Sequence, residues 1–282
     1  MTHYSRRQVL RQTALGAAAL FTRAIAEEVA RPLAAAKPPP ATARKKGVCG
    51  GIHGTQGLVA LKPGWFYSWG VTNKIEPPPG VQWLPQIFPH TNEDIAKSCA
   101  IAKAAGHTTL LGYNEPDHPG QGNLSVAKAL EGWPLLMATG MRLVSPAVTW
   151  APNAWMKNFM RQADAAKLRI DAVAIHWYGM PNPDAFLSYV TNARKDYARP
   201  IWITEFGVND KHATADKPSK ITPKEVLRFL GVVLPALEKL PWVERYCLYG
   251  PHQPSNPKNG FSCLFADDGK LTEVGEYFAS VP

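Results

Sequence analysis

The chain has 282 residues, of which 45% are hydrophobic and 19% charged, enough apolar sequence for a domain with a substantial core and too much for a disordered chain. Its formal charge of +9 divides unevenly: nine of the 31 basic and two of the 22 acidic side chains lie in residues 1–46, which leaves 22 against 20 beyond Lys46. A near-neutral domain has no electrostatic reason to bind phosphate backbones, so no nucleic-acid partner is expected, and the longest apolar run, Ala14 to Phe21, is too short to span a membrane.

The chain opens on Ser5-Arg6-Arg7-Gln8-Val9-Leu10-Arg11, followed by the apolar stretch Thr13 to Phe21 and then Ala24-Ile25-Ala26. In that order these features resemble a twin-arginine export signal, with cleavage expected after Ala26. Residues 27–46, which include Lys37-Pro38-Pro39-Pro40, cannot build a core and read as an extended tether. The resemblance implies folding in a bacterial cytoplasm, transport of the folded chain to the periplasm or beyond, and no membrane attachment after cleavage.

From residue 47 onward, eight short apolar or β-branched runs are separated by Gly/Pro/Asn/His-rich loops. They are Gly47 to Gly51, Trp65 to Trp69, Val81 to Phe88, Thr108 to Tyr113, Arg142 to Val148, Ala172 to Tyr178, Ile201 to Phe206 and Glu244 to Tyr249. Amphipathic stretches predict helices over 92–106, 125–140, 153–169, 183–196 and 222–239, with a last one over 273–279; in the first, Ile95, Cys99 and Ala102 share a face. Eight strands with intervening helices predict an α/β fold, a single-domain (β/α)8 TIM barrel over residues 47–282. A doubly wound sheet would show a phosphate loop after its first strand, and Gly50-Gly51-Ile52-His53-Gly54 fits neither known pattern. The first two crossovers, Ile52 to Gly64 and Gly70 to Gly80, are too short and Pro-rich for full helices and are expected to be loops or a stray turn.

Two carboxylates stand at strand ends. Leu-Leu-Gly-Tyr-Asn-Glu-Pro-Asp (110–117) places Asn114 and Glu115 at the end of the fourth run, and Trp-Ile-Thr-Glu-Phe-Gly (202–207) places Glu205 at the end of the seventh. A carboxylate within an apolar strand costs desolvation energy, and barrel active sites form at the C-terminal ends of strands. Two such groups across the mouth point to an acid/base and nucleophile pair; the alternative is that both are salt-bridge partners of unrelated lysines. Glycosidic bonds need a proton on the leaving oxygen and a negative charge facing the oxocarbenium ion, and a retaining pair would sit about 5–5.5 Å apart.

With Ile-His-Trp-Tyr-Gly (175–179) between these two motifs, the chain resembles the clan A retaining glycoside hydrolases, and within them glycoside hydrolase family 128, over about Gly47 to Ala279. The resemblance implies a (β/α)8 fold and hydrolysis of β-1,3-glucan with retention, Glu115 as acid/base and Glu205 as nucleophile. It also implies that Asn114 contacts the sugar 2-hydroxyl and that Tyr178 or His176 braces the nucleophile.

Trp69, Trp150 and Trp177, with Tyr113, Tyr178 and Tyr249, fall near strand ends and are expected to ring the mouth and stack on pyranose faces, whereas Trp83, Trp133, Trp155, Trp202 and Trp242 are expected in the core. His176 reads equally as an orienting residue or as an acid or base. The histidines lack paired-ligand spacing, so neither a catalytic metal nor a cofactor is expected. Cys49, Cys99, Cys247 and Cys263 form no C-x-x-C motif, and disulfides and free buried thiols both stay open. The expected partner is a β-glucan polysaccharide or oligosaccharide, bound by a monomer. Mannan or xylan as substrate, or a glycan-binding barrel without turnover, are the alternatives, and the presence of both Glu residues counts against the last.

Overall fold

A computed structural model describes residues 44–88 and 92–282; the expected export signal, its expected cleavage point and the expected tether through residue 43 lie outside the described residues. The first half of the domain comprises β1 (Lys46–Cys49), α1 (Gly54–Leu61), β2 (Trp65–Phe66), β3 (Gln82–Trp83), β4 (Gln86–Ile87), α2 (Asn92–Ala104), β5 (Thr109–Tyr113), α3 (Val126–Met137) and β6 (Arg142–Val144). The second comprises α4 (Ala154–Ala165), β7 (Val173–Gly179), α5 (Pro183–Tyr197), β8 (Ile201–Val208), α6 (Pro223–Lys239), β9 (Val243–Tyr249), a 3₁₀ turn (Gly260–Ser262) and α7 (Glu273–Ser280).

All paired strands run parallel, in two sheets ordered β3-β2-β1-β9-β8-β7 and β4-β5-β6. The predicted third strand is split because its first half pairs with β2 and its second with β5. Leu84 N–H donates to Phe66 (3.0 Å), and the Pro85 carbonyl accepts from Leu111 N–H (3.0 Å). On the other side, a Val144–Ala172 bridge and a 2.9 Å bond from Ser145 N–H to the Ala172 carbonyl link β6 to β7. The eight predicted strand positions thus follow one another around a (β/α)8 barrel.

Two apolar layers hold it together. Cys49, Trp65, Leu111, Val144, Ala174 and Trp202 form a small cluster inside the strands, while a much larger one lies between strands and helices. In α6, Val226, Phe229, Leu230, Val233, Leu234 and Leu237 recur every three or four residues and are buried, each worth roughly 1.5–3 kcal/mol of burial. Predicted helix starts coincide with caps: Ser125, Asn153 and Asn182 accept from backbone N–H groups three residues on, and Thr222 with Glu225 forms a capping box.

Two expectations are corrected. The first crossover was expected to be a loop or a stray turn and instead contains a regular helix, α1, two turns long, which buries Gly57, Leu58 and Leu61; eight residues with two glycines carry too little periodicity to register as a helix. The second crossover, residues 67–81, has no helix. The tether was also expected to run through Lys46, but Lys46 is the first residue of β1 and is fully buried. Its Nζ donates to the carbonyls of Phe278 (3.1 Å) and Val281, and Lys45 Nζ reaches those of Leu237 (3.2 Å), Glu238 (2.9 Å) and Leu240 (2.9 Å). These lysines add a positive charge and further donors to carbonyls at the C-terminal ends of α6 and α7, where the helical ladder runs out. All four cysteines are buried and free, and burial raises their thiol pKa values.

Candidate active site

Strict alternation along a strand would turn both key carboxylate segments the wrong way, and two irregularities correct them. In β8, Ile175 of β7 pairs with Ile203 but His176 pairs with Glu205, so Thr204 is an extra residue. Ile201 and Ile203 face the helices; without the bulge Glu205 would join them, and with it Glu205 faces the mouth beside His176. In β5, Gln86 pairs with Leu111 and Ile87 with Tyr113, which makes Gly112 the extra residue. A Cβ at Gly112 would lie 2.8 Å from backbone atoms of Ser145 and Pro146, so only glycine permits this approach. The bulge turns Tyr113 outward to α3 and leaves Asn114 buried at the cavity wall.

Glu115 follows with φ of +36°, a left-handed conformation rare for a side chain of its size. Its N–H bonds the Ala147 carbonyl at 2.7 Å. Asp117 pins the same turn: it accepts from Thr149 Oγ1 (2.6 Å), Thr149 N–H (3.0 Å) and Asn153 Nδ2 (2.8 Å). The last residue of the motif is therefore structural.

Glu115 and Glu205 line a cavity of about 580 Å³ together with Trp69, Asn114, Tyr178 and Tyr249. His176 lies between them, fully buried, with Nδ1 at 3.0 Å from Glu115 Oε1 and Nε2 at 3.5 Å from Glu205 Oε1. The first contact is a hydrogen bond; the second lacks the geometry of one and acts through charge. Burial pulls the imidazole pKa down, but the Glu205 and Glu115 carboxylates outweigh it and the net shift is upward. Glu205 is buried among donors: Tyr67 Oη and Trp69 Nε1 each donate to Oε1 at 2.8 Å, and Tyr178 Oη donates to Oε2 at 2.5 Å. Burial, together with nearby Glu205 and Cys49, drives both tyrosine hydroxyls well above the usual phenol range, so they keep their protons as donors. Among the described residues no lysine or arginine pairs with either glutamate, which removes the salt-bridge reading.

Glu115, His176 and Glu205 place one ligand atom each within 4.8 Å of one another, a donor set able to surround a cation. The three hydrogen atoms already aimed at Glu205 compete for the same lone pairs, and a cation there would displace them.

Other predicted residues lie elsewhere. Trp177 is 3% exposed and stacks on Phe229 at 5.5 Å, on the helix side of β7 opposite His176 and Tyr178. Tyr113 donates to the Ala129 carbonyl at 3.1 Å. Trp150 is 48% exposed and packs on Tyr189 at 4.7 Å outside the cavity lining. Alternation excludes Trp177 from the mouth once His176 faces it, so the strand-end rule alone was too coarse. Trp83, Trp133, Trp202 and Trp242 are buried as expected, and Trp155 packs partly buried against the core. The sequence reading missed Tyr67, whose signal was its alternation with Trp65 and Trp69 along the second strand. It also missed Gln121, Asn209, His252 and Asn259 in the cavity wall, whose only signal is their place in loops following strands.

The chain matches the family model of the glycosyl hydrolase catalytic core over residues 55–278. It is 28% identical over 224 residues to alkali-sensitive linkage protein 1 of Schizosaccharomyces pombe, taking in 77% of this chain and 40% of that protein, so it spans less than half of that relative's length. Among solved structures it is similar to a family 128 subgroup I endo-β-1,3-glucanase from Amycolatopsis mediterranei in complex with laminaripentaose, at 32% identity and TM-score 0.74, covering 84% of this chain and 99% of that one. It is also similar to a subgroup III curdlan-specific exo-β-1,3-glucanase from Blastomyces gilchristii in complex with glucose, at 27% identity and TM-score 0.65, covering 86% and 100%. A paired-carboxylate cavity at the mouth of a (β/α)8 barrel and a family match spanning most of the domain lead to one conclusion: the chain belongs to the glycosyl hydrolase catalytic core family, and within it to glycoside hydrolase family 128.

Proposed function

We propose that this enzyme is exported and cleaves β-1,3-glucan by double displacement with retention, Glu115 serving as acid/base and Glu205 as nucleophile. The observation that carries the reading is the unlike bracing of two carboxylates whose oxygens approach within 4.8 Å. That closeness supports the retaining spacing over the roughly 6.5–9.5 Å at which an inverting enzyme's carboxyls accommodate a water. Three donors are aimed at Glu205, while Glu115 is held by His176 at the more open side.

In the first step a Glu205 oxygen bonds C1 as the bond from C1 to the leaving oxygen breaks; the electron pair departs with that oxygen, which takes the Glu115 proton. In the second, water bonds C1, its proton passes to Glu115, and the ester's electron pair returns to Glu205. Asn114, whose Oδ1 accepts from Gln86 Nε2 at 3.4 Å, presents its amide NH₂ to the sugar 2-hydroxyl. Tyr249 lines the cavity with an aromatic face that suits a pyranose ring. The substrate rests on the two β-1,3-glucanases to which the chain is similar.

The test is hydrolysis of a laminarin-type β-1,3-glucan by the purified domain, with xylan and mannan alongside, and with Glu115→Gln and Glu205→Gln as controls. Release of β-1,3-linked oligosaccharides by the wild type and by neither variant is expected. Turnover of xylan or mannan alone would change the substrate, and tight glucan binding without products would make the barrel a binding protein.

A further inference from the structure

We infer that Tyr67 and Trp69 are a positioning pair that selects the attacking oxygen of Glu205, leaving Oε2 to form the bond to C1. The inference rests on the proposed role of Glu205 as nucleophile and assigns that role to one atom. A carboxylate oxygen has two lone pairs. On Oε1 both are taken, by Tyr67 Oη and Trp69 Nε1 at 2.8 Å each. On Oε2 one is taken, by Tyr178 at 2.5 Å, and one is left open, with Glu205 and Tyr178 both lining the cavity.

Both members of the pair come from the segment after β2 and are built for donation. Tyr67 is fully buried, and its raised hydroxyl pKa keeps it protonated. Trp69 has an indole N–H that can only donate, and its backbone lies at φ +53°, a left-handed conformation that side chains rarely adopt. Tyr67 and Tyr249 fence the indole edge-on at 5.6 and 6.4 Å. The N–H edge of Trp69 is thus committed to the carboxylate, a different task from the sugar platform that its place near a strand end suggested.

Charge movement sets the consequence. As Oε2 bonds C1 and the leaving oxygen departs with its electron pair and the Glu115 proton, negative charge drains from Glu205. As the ester breaks in the second step the charge returns, and the two donors on Oε1 stabilise it. Losing either donor therefore slows the departure of the carboxylate more than its attack, and the glycosyl-enzyme accumulates.

The experiment compares wild type, Trp69→Phe and Tyr67→Phe on a 2,4-dinitrophenyl β-laminaribioside, whose leaving group needs no proton. Both variants keep an aromatic ring in place, and melting curves check that they fold. Each is expected to show a dinitrophenolate burst of about one per active site, kcat about tenfold lower, and KM lower by a similar factor. For Trp69→Phe, an unchanged kcat with a raised KM and no burst would make the indole a sugar platform and overturn the assignment. The same holds for Tyr67→Phe if kcat and KM stay at wild-type values. A wild type inert toward this glycoside and toward β-1,3-glucan would instead overturn the hydrolase reading, and the inference with it; an active wild type with burst-free variants overturns the inference alone.

Discussion

Replacing Glu205 by alanine should do two separable things, because the carboxylate is both a reactant and the shared acceptor of three buried donors. Without it, Tyr67 Oη, Trp69 Nε1 and Tyr178 Oη face an empty space. At about 1 kcal/mol each, the low end for a buried group left unpaired, the loss is about 3 kcal/mol. In a domain of this size that lowers the melting temperature by about 6 °C or more. Glutamine behaves differently: its carbonyl can take the Tyr67 and Trp69 bonds while its NH₂ donates to the Tyr178 oxygen, which turns its own hydrogen away. Glu205→Ala is therefore expected to melt below Glu205→Gln, and both to lose glucan hydrolysis by roughly 10⁴-fold or more. Added formate or azide should raise the melting temperature of the alanine variant alone, since a small anion fits the vacated cradle and meets the same three donors. Azide should also restore its turnover of an activated glycoside and yield the α-glycosyl azide, because attack comes from the vacated face. A β-azide product would exchange the roles of the two glutamates. An alanine variant as stable as glutamine with no anion present would refute the cradle.

Glu115→Ala should lower glucan hydrolysis by about 10²–10⁴-fold yet leave formation of the glycosyl-enzyme from a dinitrophenyl glycoside nearly intact, with azide giving the β-glycosyl azide; equal losses on both substrates would count against an acid role. His176, raised above its ordinary value, contributes stability that is fully present below its unfolded pKa of about 6.5 and is lost as pH rises through the folded one. The urea stability of wild type over His176→Phe should therefore shrink as pH rises through that range, and a gap that widens would contradict the pairing with the carboxylates. A domain beginning at residue 47 lacks Lys45 and Lys46 and should be about 2 kcal/mol less stable than residues 44–282, about 4–8 °C by calorimetry; equal melting would make the lysine contacts incidental. Exchanging Arg6 and Arg7 for Lys keeps the charge and is expected to hold the protein in the cytoplasm by fractionation, and continued export would point to an ordinary secretory signal.

The order of strands and helices was legible in the sequence because each has its own apolar period, and the strand-end carboxylates stood out because ionisable groups are costly in apolar runs. Glu115 and Glu205 could be gathered from that, and Trp69, Tyr178 and Tyr249 from their places near strand ends, while the roles of Asn114, His176 and Tyr178 rested on the resemblance to known glycoside hydrolases. Their facing could not be gathered in this way. Period-two alternation, carried through Gly112 and Thr204, would have sent Tyr113 inward and Glu205 toward the helices; a single extra residue in β5 and in β8 reversed both. An extra residue is defined only against the neighbouring strand, so no single stretch of sequence announces it. The same holds for Tyr67 and Trp69, which lie 138 and 136 residues from the carboxylate they hold, and for Lys46, which looked like part of a basic tether until the end of α7 supplied its partners. Local sequence determined which segments become strands and which residues carry the chemistry. Pairing between distant strands decided which way those residues point, because register is a property of two chains of backbone and not of one.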